Sequence, residues 1–464
     1  MRSFRILMGS LSTTLLAGCS NDARESVASV IGGAAGASVV VVVATGGRVS
    51  TGGTGQAMTG GVATGGRATG STGGATTVAA SGTAIGGVSS GGMSTGGRSS
   101  TGGTVSCMSG QLKWGVNVHD GGGDPQKLAD ILNARHLTTA RMDLYANDSA
   151  YLAKFKNAVA RLAFRGIAVE AIVFDAYSPG NAQSQNCSAD LAVVETNAYD
   201  ETLSQIRATE DIISDFELMN EVSLSANIKV SGSTGQAASD YDVACGRMQA
   251  ANLRGMSRAI VDERKRTGRP LRIILGTTDR SFGFLSFMDQ QGVSFDVAGY
   301  HIYPWEKHAA LDLDPWFGSG GPLGQLARFN RPIHLNEFNC GEIYSGSQAY
   351  PNDPNYENKA GQPVTETCLR SVAKHLVEIT NQSVANVESV HMYEIWDEPN
   401  KSAPENRFGL MIDLDTPKVN LFLVSAFSGG ALTATESSEL TSRGLLSTSQ
   451  ISSWSTCGAG ATNR

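Results

Sequence analysis

The chain has 464 residues, 41% of them hydrophobic and 55 of them glycine, and a formal net charge of −7. An acidic balance argues against nucleic acid or an anionic membrane surface as partner, since both repel net negative charge. Seven cysteines are present and none forms a Cys-x-x-Cys pair, which speaks against a zinc site. Neither a metal nor another cofactor is expected.

The start, Met1-Arg-Ser-Phe-Arg5, is basic and runs into an apolar stretch ending at Leu16, the charge and length of a secretory signal. Leu15-Leu-Ala-Gly-Cys19 resembles a bacterial lipobox; the alternative is a plain secretory signal with a chance cysteine. The resemblance implies a signal peptide over residues 1–19, lipidation of Cys19, and a membrane as partner through that lipid. Ser20 rather than Asp after the cysteine implies, in the same resemblance, an exported chain held at the outer membrane or cell surface. Loss of Arg2 and Arg5 leaves 34 basic against 43 acidic residues, a charge of −9.

Residues 20–106 read as a disordered linker rich in Gly, Ser and Thr. Within it, residues 45–104 repeat Thr-Gly-Gly seven times. Such a segment buries too little apolar surface to offset its conformational entropy. As a flexible tether it would reach about 45 Å. No apolar run is long enough to span a bilayer; Val39 to Val43 falls far short.

From Cys107 to Gly430 the composition becomes globular, a usual size for one α/β barrel. Apolar strand-like runs alternate with amphipathic helices, as a parallel barrel requires. The first strand is Leu112–Val118, followed by a helix over Gln126–Arg135 that starts at Asp-Pro. The second strand is Thr138–Leu144, with a helix from Tyr151 to Phe164 that stops at Gly166. The third strand is Ile167–Phe174. The fourth, Asp215-Phe-Glu-Leu-Met-Asn-Glu221, ends in Asn220-Glu221. The fifth is Arg272–Leu275 and the sixth Phe295–His301. The seventh, Pro332-Ile-His-Leu-Asn-Glu337, also ends in a glutamate, and the eighth is Val390–Trp396. The reading is a (β/α)8 barrel over residues 107–430 behind the linker, with residues 431–464 as a C-terminal tail tied down through Cys457. With Cys19 lipidated, six cysteines remain, an even number that fits disulfides in an exported chain. Sequence proximity suggests Cys340–Cys368 and Cys187–Cys245; Cys107–Cys457 is the leftover pair among 15 possible connectivities.

A carboxylate at the C-terminal end of a barrel strand sits at the face where barrel enzymes do chemistry. Two of them, Glu221 and Glu337, fit the acid/base and nucleophile pair of a glycosidase. Each alone could be an ordinary solvated loop glutamate. Asn220-Glu221, Glu337, Gly299-Tyr-His-Ile-Tyr303, Tyr393-Glu-Ile-Trp-Asp-Glu-Pro399 and Phe408–Lys418, in that order and spacing, resemble the clan A glycoside hydrolases, with families five and thirty-nine nearest. The resemblance spans residues 112–428. It implies that Glu221 is the general acid/base and Glu337 the nucleophile. It implies that Asn220 bonds the substrate 2-hydroxyl and that His301 or Tyr303 contacts the nucleophile or sugar. Arg141 would hold the nucleophile ionised, and Trp396 would stack on the sugar. Asn117 and His119 could line the pocket, with Asp175 and Tyr177 as weaker candidates. Trp305, Trp316, Tyr344, Tyr350 and Tyr356 lie in long loops and could stack on sugar faces.

One rival alignment sets Glu398 of Asp397-Glu-Pro-Asn400 as the acid/base. Four more strands would then have to follow, and the remaining residues are too few and mostly Ser, Thr and Gly. Over residues 107–430 no Gly-x-Ser-x-Gly elbow, phosphate-binding Gly-Lys loop or His-Glu-x-x-His helix occurs. The expectation is a monomeric, retaining hydrolase of β-linked glycans. The alternative is a catalytically silent glycan-binding lipoprotein on the same barrel.

Overall fold

The computed structural model describes residues 112–119, 123–225, 227–304, 317–341, 366–401 and 405–459. The signal, Cys19, the linker, Cys107, the Cys457 side chain and the loop aromatics Trp305, Trp316, Tyr344, Tyr350 and Tyr356 lie outside them. Eight parallel strands close into one barrel in chain order. They are β1 (Lys113–Val118), β2 (Thr139–Leu144), β3 (Ala168–Val173), β4 (Asp215–Leu218), β5 (Arg272–Thr278), β6 (Val297–Ile302), β7 (Ile333–Phe338) and β8 (Val387–Met392). The fold is therefore the expected (β/α)8 barrel.

Helices surround it, and the first three have clear start signals and a buried stripe. Asp124, Asp148 and Asp190 accept backbone N–H groups at the starts of α1 (Pro125–Ala134), α2 (Ser149–Phe164) and α3 (Leu191–Thr209). The ring is continued by α4 (Ala244–Thr267), α5 (Phe282–Gln290), α6 (Gly321–Ala327), α7 (Glu366–Asn381) and α8 (Val419–Ser428). The segment read as a C-terminal tail carries two more helices, α9 (Ala434–Ser442) and α10 (Thr448–Ala459). Thr433 and Glu436 form a capping box for α9. Trp454 is buried against Phe427, ring centroids 4.2 Å apart, so this segment packs on the barrel.

Strand eight differs from its sequence reading. It starts at Val387 and is regular only to Met392. Beyond it, Tyr393 N–H still donates to Phe338 O of β7 and Ile395 N–H to Asn117 O of β1, each at 3.1 Å, while residues 394–397 also pair with residues 408–411, through Leu410 N–H to Glu394 O at 2.7 Å and Met411 N–H to Ile395 O at 2.9 Å. Apolar content alone carried the expected strand to Trp396.

The barrel interior is unusually polar. Glu170 on β3 accepts from Asn336 Nδ2 at 2.6 Å and lies 2.7 Å from His334 Nδ1. Thr139 meets His391 at 3.1 Å. Glycine makes room for these groups. A Cβ on Gly115 would stand 2.4 Å from the Thr139 backbone oxygen and 2.8 Å from the His391 ring.

Cys187–Cys245 and Cys340–Cys368 are disulfide-bonded, as expected from proximity. Bonds of this kind persist in oxidising compartments, which fits an exported protein. Among the described residues no helix is long and apolar enough to cross a membrane.

Gly115→Ala forces backbone apart from backbone rather than from a yielding side chain. We expect it to lower stability by about 3 kcal/mol, read from urea unfolding; an unchanged midpoint would show that the β1–β2 spacing has slack.

Candidate active site

The site is built around Arg141 on β2, a fully buried side chain. Its Nε donates to Glu217 Oε2 at 2.5 Å. Nη1 donates to Asn117 Oδ1 at 2.6 Å and to Glu337 Oε1 at 2.9 Å. Nη2 donates to Asn220 Oδ1 at 2.7 Å, and His301 Nε2 lies 3.3 Å from it. One guanidinium thus ties together groups from β1, β4, β6 and β7.

Two backbone devices aim the carboxylates. In β7, Tyr300 of β6 pairs with Leu335 but His301 pairs with Glu337, so Asn336 is an extra residue. A bulge of this kind re-aims side chains. Asn336 reaches Glu170 and the adjacent Glu337 reaches Arg141, both toward the lumen, although neighbours on a regular strand face opposite sides. After β4, Met219 and Glu221 adopt left-handed φ of 59° and 49°. Non-glycine residues are held there only by their surroundings. The turn delivers Asn220 to Arg141 and Glu221 Oε1 to His301 Nδ1 at 3.1 Å.

An oxygen of Glu221, a nitrogen of His301 and an oxygen of Glu337 lie within 4.8 Å of one another. Tyr303 donates to Glu337 Oε2 at 2.6 Å. Burial pushes the Glu337 carboxyl up, but His301, Arg141 and the Tyr303 hydroxyl outweigh it and hold it below the usual range. Burial pulls His301 down, and the carboxylates Glu337, Glu217 and Glu221 raise it to about 9. Its imidazolium lies 3.6 Å from Glu217 and 3.4 Å from Glu337. The trio Glu221, His301 and Glu337 has the spacing of a cation site, as do His119, Glu394 and Glu398. Positive charge is already supplied by Arg141 and His301 in the first and by Lys401 in the second.

Of the sequence candidates, Asn117, Arg141, Asn220, Glu221, His301, Tyr303 and Glu337 converge. His119 stands apart from that cluster, with Nδ1 2.9 Å from Asp143 Oδ2 and Nε2 3.4 Å from Glu394 Oε2. Trp396 bridges to Met411, and its ring would contact a Cβ on Gly123 at 3.6 Å. Asp175 caps its own loop, accepting from Tyr177 N–H at 2.8 Å. Glu398 pairs with Lys401, away from Arg141. Glu217 is the residue that sequence reading passed over. Its signal was a lone carboxylate inside the apolar run Phe216-Glu-Leu-Met219, a placement that demands a buried partner.

No family model matches the chain, and no curated protein matches it. Solved structures similar to it include a β-glucosidase from Thermotoga maritima in complex with deoxynojirimycin, at 11% identity, covering 70% of this chain and 99% of that one with a TM-score of 0.48. A family 1 β-glucosidase from the same organism matches at 10% identity over 72% of this chain and 98% of its own, TM-score 0.47. The same enzyme with glucoimidazole matches at 10% identity over 68% and 97%, TM-score 0.46. Identity at this level leaves the choice of reaction to the residues themselves.

Glu217 is held at about 2: burial raises it, and Arg141 and His301 outweigh that. Its folded value lies below the unfolded one, so its contribution is present above roughly pH 4.5 and is lost as pH falls through about 2. Glu217→Gln should therefore lose about 3–5 kcal/mol at neutral pH and flatten the acid limb of stability against pH. Parallel acid limbs for wild type and variant would exclude the assignment.

Proposed function

We propose that the protein is a retaining β-glycosidase acting on β-linked glycans, with Glu337 as nucleophile and Glu221 as general acid/base. The observation that carries this is that one oxygen of Glu221 and one of Glu337 lie within 4.8 Å of each other at the strand C-terminal ends, with Glu337 held ionised by His301, Arg141 and Tyr303. Retaining enzymes keep their two carboxyls about 5–5.5 Å apart, whereas inverting ones need roughly 6.5–9.5 Å to admit a water. Glu337 attacks the anomeric carbon and Glu221 protonates the leaving oxygen. Glu221 then activates the water that hydrolyses the glycosyl-enzyme. Arg141 and His301 balance Glu217 and Glu337, so the buried cluster does not oppose the positive charge of an oxocarbenium-like transition state. With its carbonyl held by Arg141, Asn220 has its amide nitrogen to offer the 2-hydroxyl. The substrate partner is a β-linked glycan and the working unit a monomer.

Screening the purified protein on 4-nitrophenyl β-glycosides and plant and microbial β-glycans tests the reading. Glu337→Gln should abolish turnover in a protein that still folds, with a melting temperature lowered by the loss of a buried partner of Arg141. Glu221→Ala should retain activity on substrates with good leaving groups and regain more with azide. Wild-type rates in both variants would end the assignment.

We propose further that Cys19 is lipidated and holds the protein at a membrane, on the strength of the lipobox-like Leu-Ala-Gly-Cys19. Two or more acyl chains anchor stably where one binds marginally. Cys19→Ala should move the protein to the soluble fraction with glycosidase activity unchanged; continued membrane fractionation would place the anchor elsewhere.

A further inference from the structure

Glu170 sends its carboxyl group across the barrel. β3 and β7 stand four strands apart in either direction round the closed ring. Yet one oxygen of Glu170 accepts from Asn336 Nδ2 at 2.6 Å, and the other lies 2.7 Å from His334 Nδ1. His334 and Asn336 are two residues apart on β7 and so share its inward face. Both are buried, as is Glu170. Asn336 Oδ1 has no partner among the described residues, so the bond to Glu170 is what fixes this side chain.

Asn336 is also where β7 slips. It is the extra residue against β6. Against β8, Leu335 pairs with Val390 and Phe338 with Met392, so Asn336 and Glu337 together stand opposite His391. The ladder is interrupted on both sides of one peptide, and backbone groups freed in this way must find other partners. The Asn336 carbonyl accepts from Asn117 Nδ2 at 2.9 Å. Asn117 Oδ1 in turn accepts from Arg141 Nη1, which also donates to Glu337 Oε1. In a regular strand an inward Asn336 would leave Glu337 facing away from the lumen and from Arg141.

Stability alone gives no reason for a carboxylate at position 170. Apolar replacements of buried ion pairs are often neutral or stabilising, and the best-attested use of such groups is to fix a register. Here the register fixed is the one that aims Glu337.

We propose that Glu170, backed by His334, is a positioning residue for the nucleophile: by holding Asn336 from across the lumen it locks the β7 bulge that turns Glu337 to Arg141. The role in catalysis rests on the glycosidase reading, and the test separates the two. Asn336→Ala removes the held side chain and leaves the Glu170–His334 pair intact. Its crystal structure is solved, and its kcat, KM and pH profile are measured beside wild type on the 4-nitrophenyl β-glycoside that wild type turns over fastest. In the crystal, Glu337 Oε1 should have left Arg141 Nη1, from which it lies 2.9 Å in wild type. kcat should fall by roughly 100-fold, the loss that a misplacement of about 1 Å brings, with KM little changed. The acid limb of kcat/KM, which reports the free enzyme's ionisations, should move to higher pH. His301, Arg141 and Tyr303 hold the Glu337 carboxyl below the usual range only while it stays among them. Trp454→Ala, which loosens α10 from the barrel, controls for lost stability: it should lower the melting temperature and leave kcat and the acid limb unchanged. Glu337 still seated on Arg141 in the Asn336→Ala crystal would overturn the proposal whatever the rates, and so would a wild-type kcat and acid limb. If Asn336→Ala does not fold, Asn336→Ser, too short to reach Glu170, carries the same comparison. If wild type turns over no glycoside, the glycosidase reading falls, and the clamp stands or falls on the position of Glu337 in the crystal alone.

Discussion

A single buried guanidinium organises this barrel. Arg141 cannot shed its charge, so burying it obliges the fold to bring acceptors to it. Glu217, Asn117, Glu337 and Asn220 answer from three other strands and one strand-end turn. Each of these contacts also fixes a group that the proposed chemistry uses or a group that holds one. Pre-set geometry of this kind spares the reacting groups the reorganisation that free side chains would need.

The same logic extends down the lumen. Below the site, His334 contacts Glu170 and Glu388, and Arg272 joins Glu388 to Asp215 at the strand starts. His334 is raised to about 9 because its carboxylate neighbours outweigh its burial. A charged lumen takes more room than a packed aliphatic one, and glycines provide it. A Cβ at Gly276 would come within 2.9 Å of Glu217 Oε1, so the residue facing the carboxylate must lack one. Past the ends of β1 and β8, His119 meets Asp143 and Glu394, and Glu394 meets Lys401.

Much of this was legible in the sequence, for identifiable reasons. Strand and helix periodicities, Asp N-caps and the glycine after α2 announce an alternating α/β chain, and eight strands close only one way at this size. Asn220-Glu221 and Glu337 stand out because each ends an apolar run, and Arg141 through the resemblance to the clan A glycoside hydrolases. Glu217 carried the same signal in a strand whose end attracted more attention. Cys187–Cys245 and Cys340–Cys368 followed from closeness along the chain.

Other features depend on neighbours that no local pattern encodes. Strict alternation at His334-Leu-Asn-Glu337 turns Asn336 and Glu337 to opposite faces; the bulge against β6 puts both inside. The end of β8 is set by neighbours on both sides: Ile395 still bonds Asn117 of β1 while residues 394–397 also pair with residues 408–411, which sets Trp396 beside Gly123 and Glu394 beside His119. α9 and α10 form where composition read as a tail, because a few apolar side chains such as Trp454 suffice once α8 offers a surface. The sequence by itself determined the barrel and which residue types could do chemistry, since periodicity and a buried charge's need for partners are local facts. Only the tertiary structure decided which carboxylates meet, because register, bulges and strand ends are set by contacts between residues far apart in the chain.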